Sequence, residues 1–363
     1  MPTKCKAALS ISFKEPLLIE EILVDDPRQD EVKINISACG VCHSDVLYID
    51  GAWGGSLPSV FGHEGAGVVD TCGPGVEHIK PGDRVAVSLL KSCGRCYYCQ
   101  RQLSSQCEYT FATDEPYRLK MLDGTSVNRG LRTGCFAEYA VVHKSQVVKL
   151  PDEMNLNSAS LLTCGVITGF GSVVNTASIK AGEHVVVVGT GGVGVHCIQG
   201  ARVSQAATIT AVDVSDEKLE FAKRLGATHI VNSTREGVPE AVLEVTQNRG
   251  ADAVFVATGH PAALDGIFKL IRPGGLLVLV GMPSYGVYFS FETVEFINAN
   301  YVILGSKMGS SDLKVDIANL IELYESGKLE LDALVWSTFP LENINEAIEA
   351  TRTGVGMRNV VVM

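Results

Sequence analysis

Apolar positions in residues 1 to about 160 come in short runs broken by Gly and Pro, as in EVKINISACG (31–40), GAGVVDTCGPG (65–75) and DRVAVSLL (83–90). Pro and Gly pairs at 73–75 and 81–82 mark turns between them. Short strands with this punctuation predict a compact, mostly β domain. The pattern changes near 160. NLNSASLLTCGVITGFGSVVN (155–175) predicts a helix, and HVVVVG (184–189) then reads as a strand buried on both faces. TITAVDV (208–214), ADAVFVATG (251–259) and GGLLVLVG (274–281) predict further strands, and DEKLEFAKRLG (216–226) an amphipathic helix ending in Gly. Strand and helix in alternation predict a parallel, doubly wound sheet, so the fold class is α/β. LKVDIANLIELYESGK (313–328), ENINEAIEATRTG (342–354) and RNVVVM (358–363) predict two helices and a final strand. This tail is expected to return to the first domain. The expected organisation is 1–160 with 308–363 as one domain, and 161–307 inserted as the other.

Length and composition agree with two globular domains: 363 residues, 46% hydrophobic and 20% charged. The 37 glycines suit many tight strand–helix turns. The formal net charge of −11 comes without a basic stripe, which argues against sequence-independent nucleic-acid binding. An anionic cofactor stays possible, because a helix N-terminus holds phosphate locally. MPTKCKAALSISFKEP lacks the apolar core of a signal peptide, and no apolar run reads as long enough to span a membrane. The expected location is therefore cytoplasmic, where thiols stay reduced and the eleven cysteines need another explanation.

Four of them, Cys93, Cys96, Cys99 and Cys107, fall in a lobe over 91–109 at spacings that let their sulfurs converge on one ion. Four thiolates close a tetrahedral zinc and leave no open position, which makes the site structural. An iron–sulfur cluster uses similar spacing and is the rival reading. Lys91, Arg95 and Arg101 flank the lobe, either offsetting its negative charge or as ordinary solvated cations.

Gly189-Thr-Gly191-Gly192-Val193-Gly194 follows the strand 184–189 and opens a helix, the context a dinucleotide-binding loop requires. Gly189 supplies the tight turn, Gly191 the backbone approach of a pyrophosphate, and Gly194 close helix–strand packing. Asp213 ends the next strand. An acid there bonds ribose hydroxyls and repels a 2′-phosphate, which predicts NAD over NADP.

GVCHSD (40–45), GHEGAGVV (62–69), the four-cysteine lobe, LLTCGVITGFG (161–171) and GTGGVG (189–194) occur in one order. In that order they resemble the zinc-containing medium-chain alcohol dehydrogenases, from about residue 30 to the C-terminus. LLTCGVITGFGSVVNTA is most similar to the branch of animal-type and glutathione-dependent formaldehyde dehydrogenases. The resemblance implies a GroES-like catalytic domain plus a Rossmann domain, NAD, and two zinc ions per chain. It places Cys42, His63 and Cys164 on a catalytic zinc with one open position, although singly each reads as an ordinary core residue. It implies that zinc makes a bound alcohol acidic, an alkoxide forms, and hydride passes to the nicotinamide, or the reverse. Asp45 resembles the carboxylate that fixes the His63 tautomer, and Glu64 the near-zinc carboxylate. Ser44 resembles the hydroxyl that takes the substrate proton. Leu47 stands where many relatives carry the histidine that passes it on, so the relay must end through the ribose and water, through His43, or not at all. Lys218 resembles a second ribose contact, His43 and Arg358 phosphate contacts, and Thr168, Val193 and Val280 the nicotinamide packing.

The polar stretch 109–135, with Asp114, Glu115, Arg118, Lys120, Asp123 and Arg132, is expected to shape a pocket or to be a solvated loop. The expected partner is a small alcohol, aldehyde or ketone. Variants are a thiol-adduct formaldehyde dehydrogenase and a dismutase with tightly held NAD. A folded member without turnover is the rival from another class. The family commonly assembles through strands near 290–305, so a homodimer or homotetramer is expected.

Overall fold

The computed structural model describes residues 2–114 and 118–363; Glu115 of the polar stretch lies outside them. The chain divides into two compact units, Met1–Cys164 with Asp312–Met363, and Gly165–Ser311. The joins thus fall at 164/165 and 311/312, against the expected 160/161 and 307/308.

In the first unit, the strands Thr3–Ser10, Leu18–Val24, Leu119–Met121, Ser126–Arg129 and Ser59–Val60 close a small barrel. Beside it runs a second sheet, in the order Val147–Lys149, Arg84–Val87, Glu64–Cys72, Glu31–Gly40, Arg358–Val362 and Val335–Pro340, with Tyr139–His143 also paired to Glu31–Gly40. The tail does return to this unit: Arg358–Val362 lies antiparallel on Glu31–Gly40, with Val360 opposite Gly40. Glu64 also sits opposite Gly40 in the neighbouring ladder. Three strand ends therefore deliver Cys42, Glu64 and Arg358 to one place.

In the second unit, six parallel strands run in the order His229–Asn232, Thr208–Asp213, His184–Val188, Ala251–Val256, Ile271–Leu279 and Val302–Gly305. The run HVVVV is apolar throughout because both its faces are covered. Val185 and Val187 pack with Ile209, Ala211 and Phe255 on one side, while Val186 packs with Val212, Val254 and Leu277 on the other. Strand order reverses between His184–Val188 and Ala251–Val256. That is the point where doubly wound sheets open a crevice at their carboxyl ends.

Two expectations need correction. The stretch 109–135 is not mainly a solvated loop. It supplies two barrel strands, and Arg118 is buried against Glu31 with Nη2 to Oε1 at 2.6 Å. The paired charges make burial tolerable, and a lone Arg in a polar run does not announce its partner 87 residues away. The second concerns apolar length. Leu156–Thr176 is a 21-residue helical stretch of mean hydropathy 1.3, long and apolar enough to cross a membrane by length and composition. Its Ser, Thr and Gly positions break the run to the eye without lowering that average. It is 83% buried inside the protein, as a core helix is.

Candidate active site

Asp45 is the hub of the site. Cys42 caps the short helix His43–Ile49, and its backbone N–H donates to Asp45 Oδ2 at 3.2 Å. Asp45 Oδ1 accepts from the Gly62 N–H and lies 3.0 Å from His63 Nδ1. One fully buried carboxylate thus positions both the Cys42 loop and the His63 ring. With Nδ1 as the donor to Asp45, Nε2 presents its lone pair on the other side. Nε2 lies 3.3 Å from Cys164 Sγ.

Cys164 comes from a π-helical turn, Leu162–Val166, whose preceding carbonyl at Thr163 accepts from the Ser88 hydroxyl at 2.9 Å. Such turns shift a side chain off the regular helical stripe and recur at functional sites. One ligand atom each from Cys42, His63, Glu64 and Cys164 lie within 4.8 Å of one another. A tetrahedral zinc with ordinary bond lengths sets a nitrogen–sulfur edge of about 3.6 Å, close to the spacing found.

The proton balance also fits a cation. Its hydrogen bond with Cys164 holds the Cys42 thiol well below the usual value, and the same bond pushes Cys164 well above it. Two sulfurs this close are not both anionic unless a cation lies between them. For His63, burial alone would lower the pKa, but the charge and hydrogen bond of Asp45 outweigh it and raise it well above normal.

Glu64 is wholly buried, and burial pushes its carboxyl up to about 7 against the pull of Arg358. Oε2 pairs with Arg358 Nη2, while Oε1 has no partner among the described residues. Arg358, expected against a cofactor phosphate, is thus 5% exposed and engaged with Glu64. Ser44 is half-buried, with its N–H 3.5 Å from Cys42 Sγ; His43 is exposed and Leu47 half-buried on the same helix.

The four lobe sulfurs also lie within 4.8 Å of one another. Cys93 and Cys99 sulfurs are 4.0 Å apart, Cys96 and Cys107 sulfurs 3.9 Å. A tetrahedral zinc–thiolate site sets this edge at about 3.8 Å. So tight a group suits one ion; a cluster of several irons would hold its cysteine sulfurs further apart. The flanking cations have contacts of their own. Arg95 lies 4.9 Å over the Tyr109 ring and Arg101 3.7 Å over Tyr97. Lys91 pairs with Asp114 and Thr113 over Phe111, and burial lowers its pKa to about 8.

In the second unit, Gly189 has φ +87°, which a side chain would strain. A Cβ at Gly194 would come within 1.8 Å of the Gly189 carbonyl oxygen, so only glycine permits the helix Gly194–Val203 to start there. A Cβ at Gly191 would meet nothing within 4 Å, so the loop faces open space. Gly192 and Val193 complete the turn before the helix. Asp213 ends its strand with both oxygens engaged. Oδ2 accepts from the Thr190 N–H and hydroxyl at 2.7 and 3.0 Å, and Oδ1 from the Val214 and Ser215 N–H groups at 2.8 and 3.0 Å. Sequence reasoning missed Thr190; its signal is the hydroxyl inside the glycine loop. Lys218 is half-buried in the first turn of Asp216–Leu225. Thr168 donates to Met308 Sδ at 3.6 Å, and Val280 packs in the core beside Phe255 and Val278.

Residues 28–152 match the family described as alcohol dehydrogenase GroES-like domain, and residues 192–326 match zinc-binding dehydrogenase. The chain is 33% identical to alcohol dehydrogenase 1 of Pisum sativum, covering 99% of this chain and 97% of that one. It is 36% identical to the NDMA-dependent alcohol dehydrogenase of Amycolatopsis methanolica, covering 99% of both. The crystal structure of benzyl alcohol dehydrogenase from Acinetobacter calcoaceticus superposes with a TM-score of 0.92 at 29% identity over 99% of both chains.

Proposed function

The chain belongs to the zinc-containing medium-chain alcohol dehydrogenase family, and we propose that it oxidises a small alcohol to the aldehyde or ketone, and the reverse, with NAD as hydride acceptor. The observation that carries this reading is the convergence of Cys42, His63 and Cys164 around the buried Asp45 hub. Cys42, His63 and Cys164 would hold the catalytic zinc, and Cys93, Cys96, Cys99 and Cys107 the structural one. Zinc supplies Lewis acidity that makes an alcohol hydroxyl acidic near neutral pH.

Asp45 keeps the His63 proton on Nδ1, so that the imidazole binds metal neutral and in one orientation. Glu64, neutralised by Arg358, gives the site a carboxylate without a free negative charge. Ser44 takes the substrate proton, since a hydroxyl accepts and donates at once. Leu47 cannot carry that proton onward, which leaves water or the exposed His43 to release it.

Gly189, Gly191, Gly192, Val193 and Gly194 cradle the pyrophosphate at the start of their helix. Asp213 and Lys218 hold the adenosine ribose, and a rotation of the Thr190 hydroxyl frees an acceptor position on Oδ2. Thr168, Val193 and Val280 supply the nicotinamide packing. The direct test is NADH absorbance across primary, secondary and benzylic alcohols, without added glutathione. At least one alcohol should reduce NAD; inertness toward all of them and toward the matching aldehydes would remove the assignment.

A second copy of the chain completes the reading. Val302–Gly305 is the edge of the parallel sheet, and an unpaired edge invites a partner strand. Near it in sequence Tyr285, Tyr288, Val294 and Ile297 are all more than half exposed, with Tyr288 at 91%. Clustered apolar exposure of this kind marks an association surface. Sedimentation should show a homodimer or homotetramer, and Ile297→Asp should shift it toward monomer. A monomeric wild type would remove the interface.

A further inference from the structure

The inserted unit carries a second cleft, far from the glycine loop in the logic of the sheet. Gly189 follows the carboxyl end of His184–Val188. The cleft is lined instead by residues at the amino ends of parallel strands: His184 opens its strand, Gly250 and Asp252 flank the start of Ala251–Val256, and Arg272 lies at the start of Ile271–Leu279. Its volume is about 360 Å³. That is the low end for ligand sites, room for a small molecule and not for a dinucleotide.

Its charges are unbalanced. Lys180, Arg249 and Arg272 line the cleft with Glu183 and Asp252. Both carboxylates are already engaged. Glu183 Oε2 accepts the Lys180 backbone N–H at 2.8 Å. Asp252 Oδ2 accepts the His184 N–H at 2.7 Å, and its Oδ1 accepts Arg272 Nε at 2.5 Å. Asp252 therefore anchors Arg272, whose Nη1 donates to the Pro273 carbonyl and whose Nη2 has no partner among the described residues. Among the described residues Arg249 reaches only the Thr246 carbonyl at 3.4 Å and Gln247 Oε1 at 3.5 Å, long contacts to neutral groups. Lys180 Nζ has no carboxylate partner among the described residues. Arg272 is balanced by Asp252 and Glu183 keeps its charge, so the cleft holds a surplus of one cation, a local feature in a chain whose net charge of −11 repels anions as a whole.

We propose that this cleft binds a small phosphate-class anion carrying two or more negative charges. Arg272 and Arg249 present guanidinium donors suited to oxyanion oxygens, and Lys180 adds a movable point charge at the rim. Gly182 keeps the mouth clear, since a Cβ there would meet nothing within 4 Å.

The test is calorimetric titration of inorganic pyrophosphate into the full chain, presaturated with NADH so that the glycine loop is filled, at constant ionic strength. One pyrophosphate should bind per chain. The K180Q/R249Q double variant, altered only at exposed side chains, should bind it at least about tenfold more weakly and keep its Kd for NADH. Absence of binding to the wild type, or equal binding by the double variant, overturns the site. Failure of alcohol oxidation in the substrate panel leaves this result untouched, because the readout needs no turnover.

Discussion

Cys164→Ser should lower kcat/KM for the best alcohol about 10³-fold while NADH binding stays within a few-fold of wild type. A serine hydroxyl is not deprotonated where a thiol is, and it is too short to keep the sulfur–metal distance. The metal is then left with Cys42 and His63 from the proposed set. Lewis-acid stabilisation in such sites is worth several kcal/mol, and about 4 kcal/mol corresponds to a thousandfold. Elemental analysis should fall from two zinc ions per chain to about one, because the lobe formed by Cys93, Cys96, Cys99 and Cys107 is untouched. The exchange is nearly isosteric at a buried position, so thermal unfolding serves as the control for a folded variant. NADH fluorescence isolates the cofactor half of the prediction, since the glycine loop and Asp213 belong to Gly165–Ser311. A fully active variant would take Cys164 out of the chemistry.

Such a prediction was open to the sequence only through the combination of motifs. The strand HVVVV, the glycine loop and the four close cysteines announce themselves because local periodicity and spacing carry their physics. Cys42, His63 and Cys164 do not, since no spacing rule joins residues 122 positions apart. What joins them is tertiary: the ladder that sets Gly40 opposite Glu64, and the π turn that delivers Cys164. Arg358 shows the same limit. The resemblance implied a phosphate contact for it but gave no sign of Glu64, to which the return of Arg358–Val362 onto Glu31–Gly40 brings it. Gly40 is part of that arrangement: a Cβ there would come within 2.4 Å of Glu64 Oε2. Buried ion pairs such as Glu31–Arg118 stay hidden for a related reason, because each member alone looks like surface. Apolar length misleads in the opposite direction. Leu156–Thr176 has the composition of a membrane span but sits in a core that needs small residues; a Cβ at Gly169 would come within 2.2 Å of the Val193 carbonyl oxygen.

Asp213→Gly should narrow the preference for NAD over NADP, measured as the ratio of kcat/KM values, by more than about 100-fold. Two effects act in the same direction. With NAD, the variant loses two charge-assisted hydrogen bonds from the ribose hydroxyls, each worth about 1.5–3 kcal/mol, and about 3 kcal/mol in total already exceeds 100-fold. With NADP, it loses the repulsion between a carboxylate and the 2′-phosphate. Val214 beside it is 66% exposed and offers no charge of its own, so the wild-type choice falls to this one carboxylate. The substitution also strips acceptors from the Thr190, Val214 and Ser215 N–H groups; water reaches the exposed Val214, but Thr190 is wholly buried and its N–H and hydroxyl lose their acceptor, at a cost of about 1–3 kcal/mol. Thermal stability should therefore drop modestly, and KM for the alcohol should hold because Asp213 lies outside the metal-ligand set. An unchanged NAD to NADP ratio in a folded variant would move the ribose away from Asp213, whatever happens at the metal.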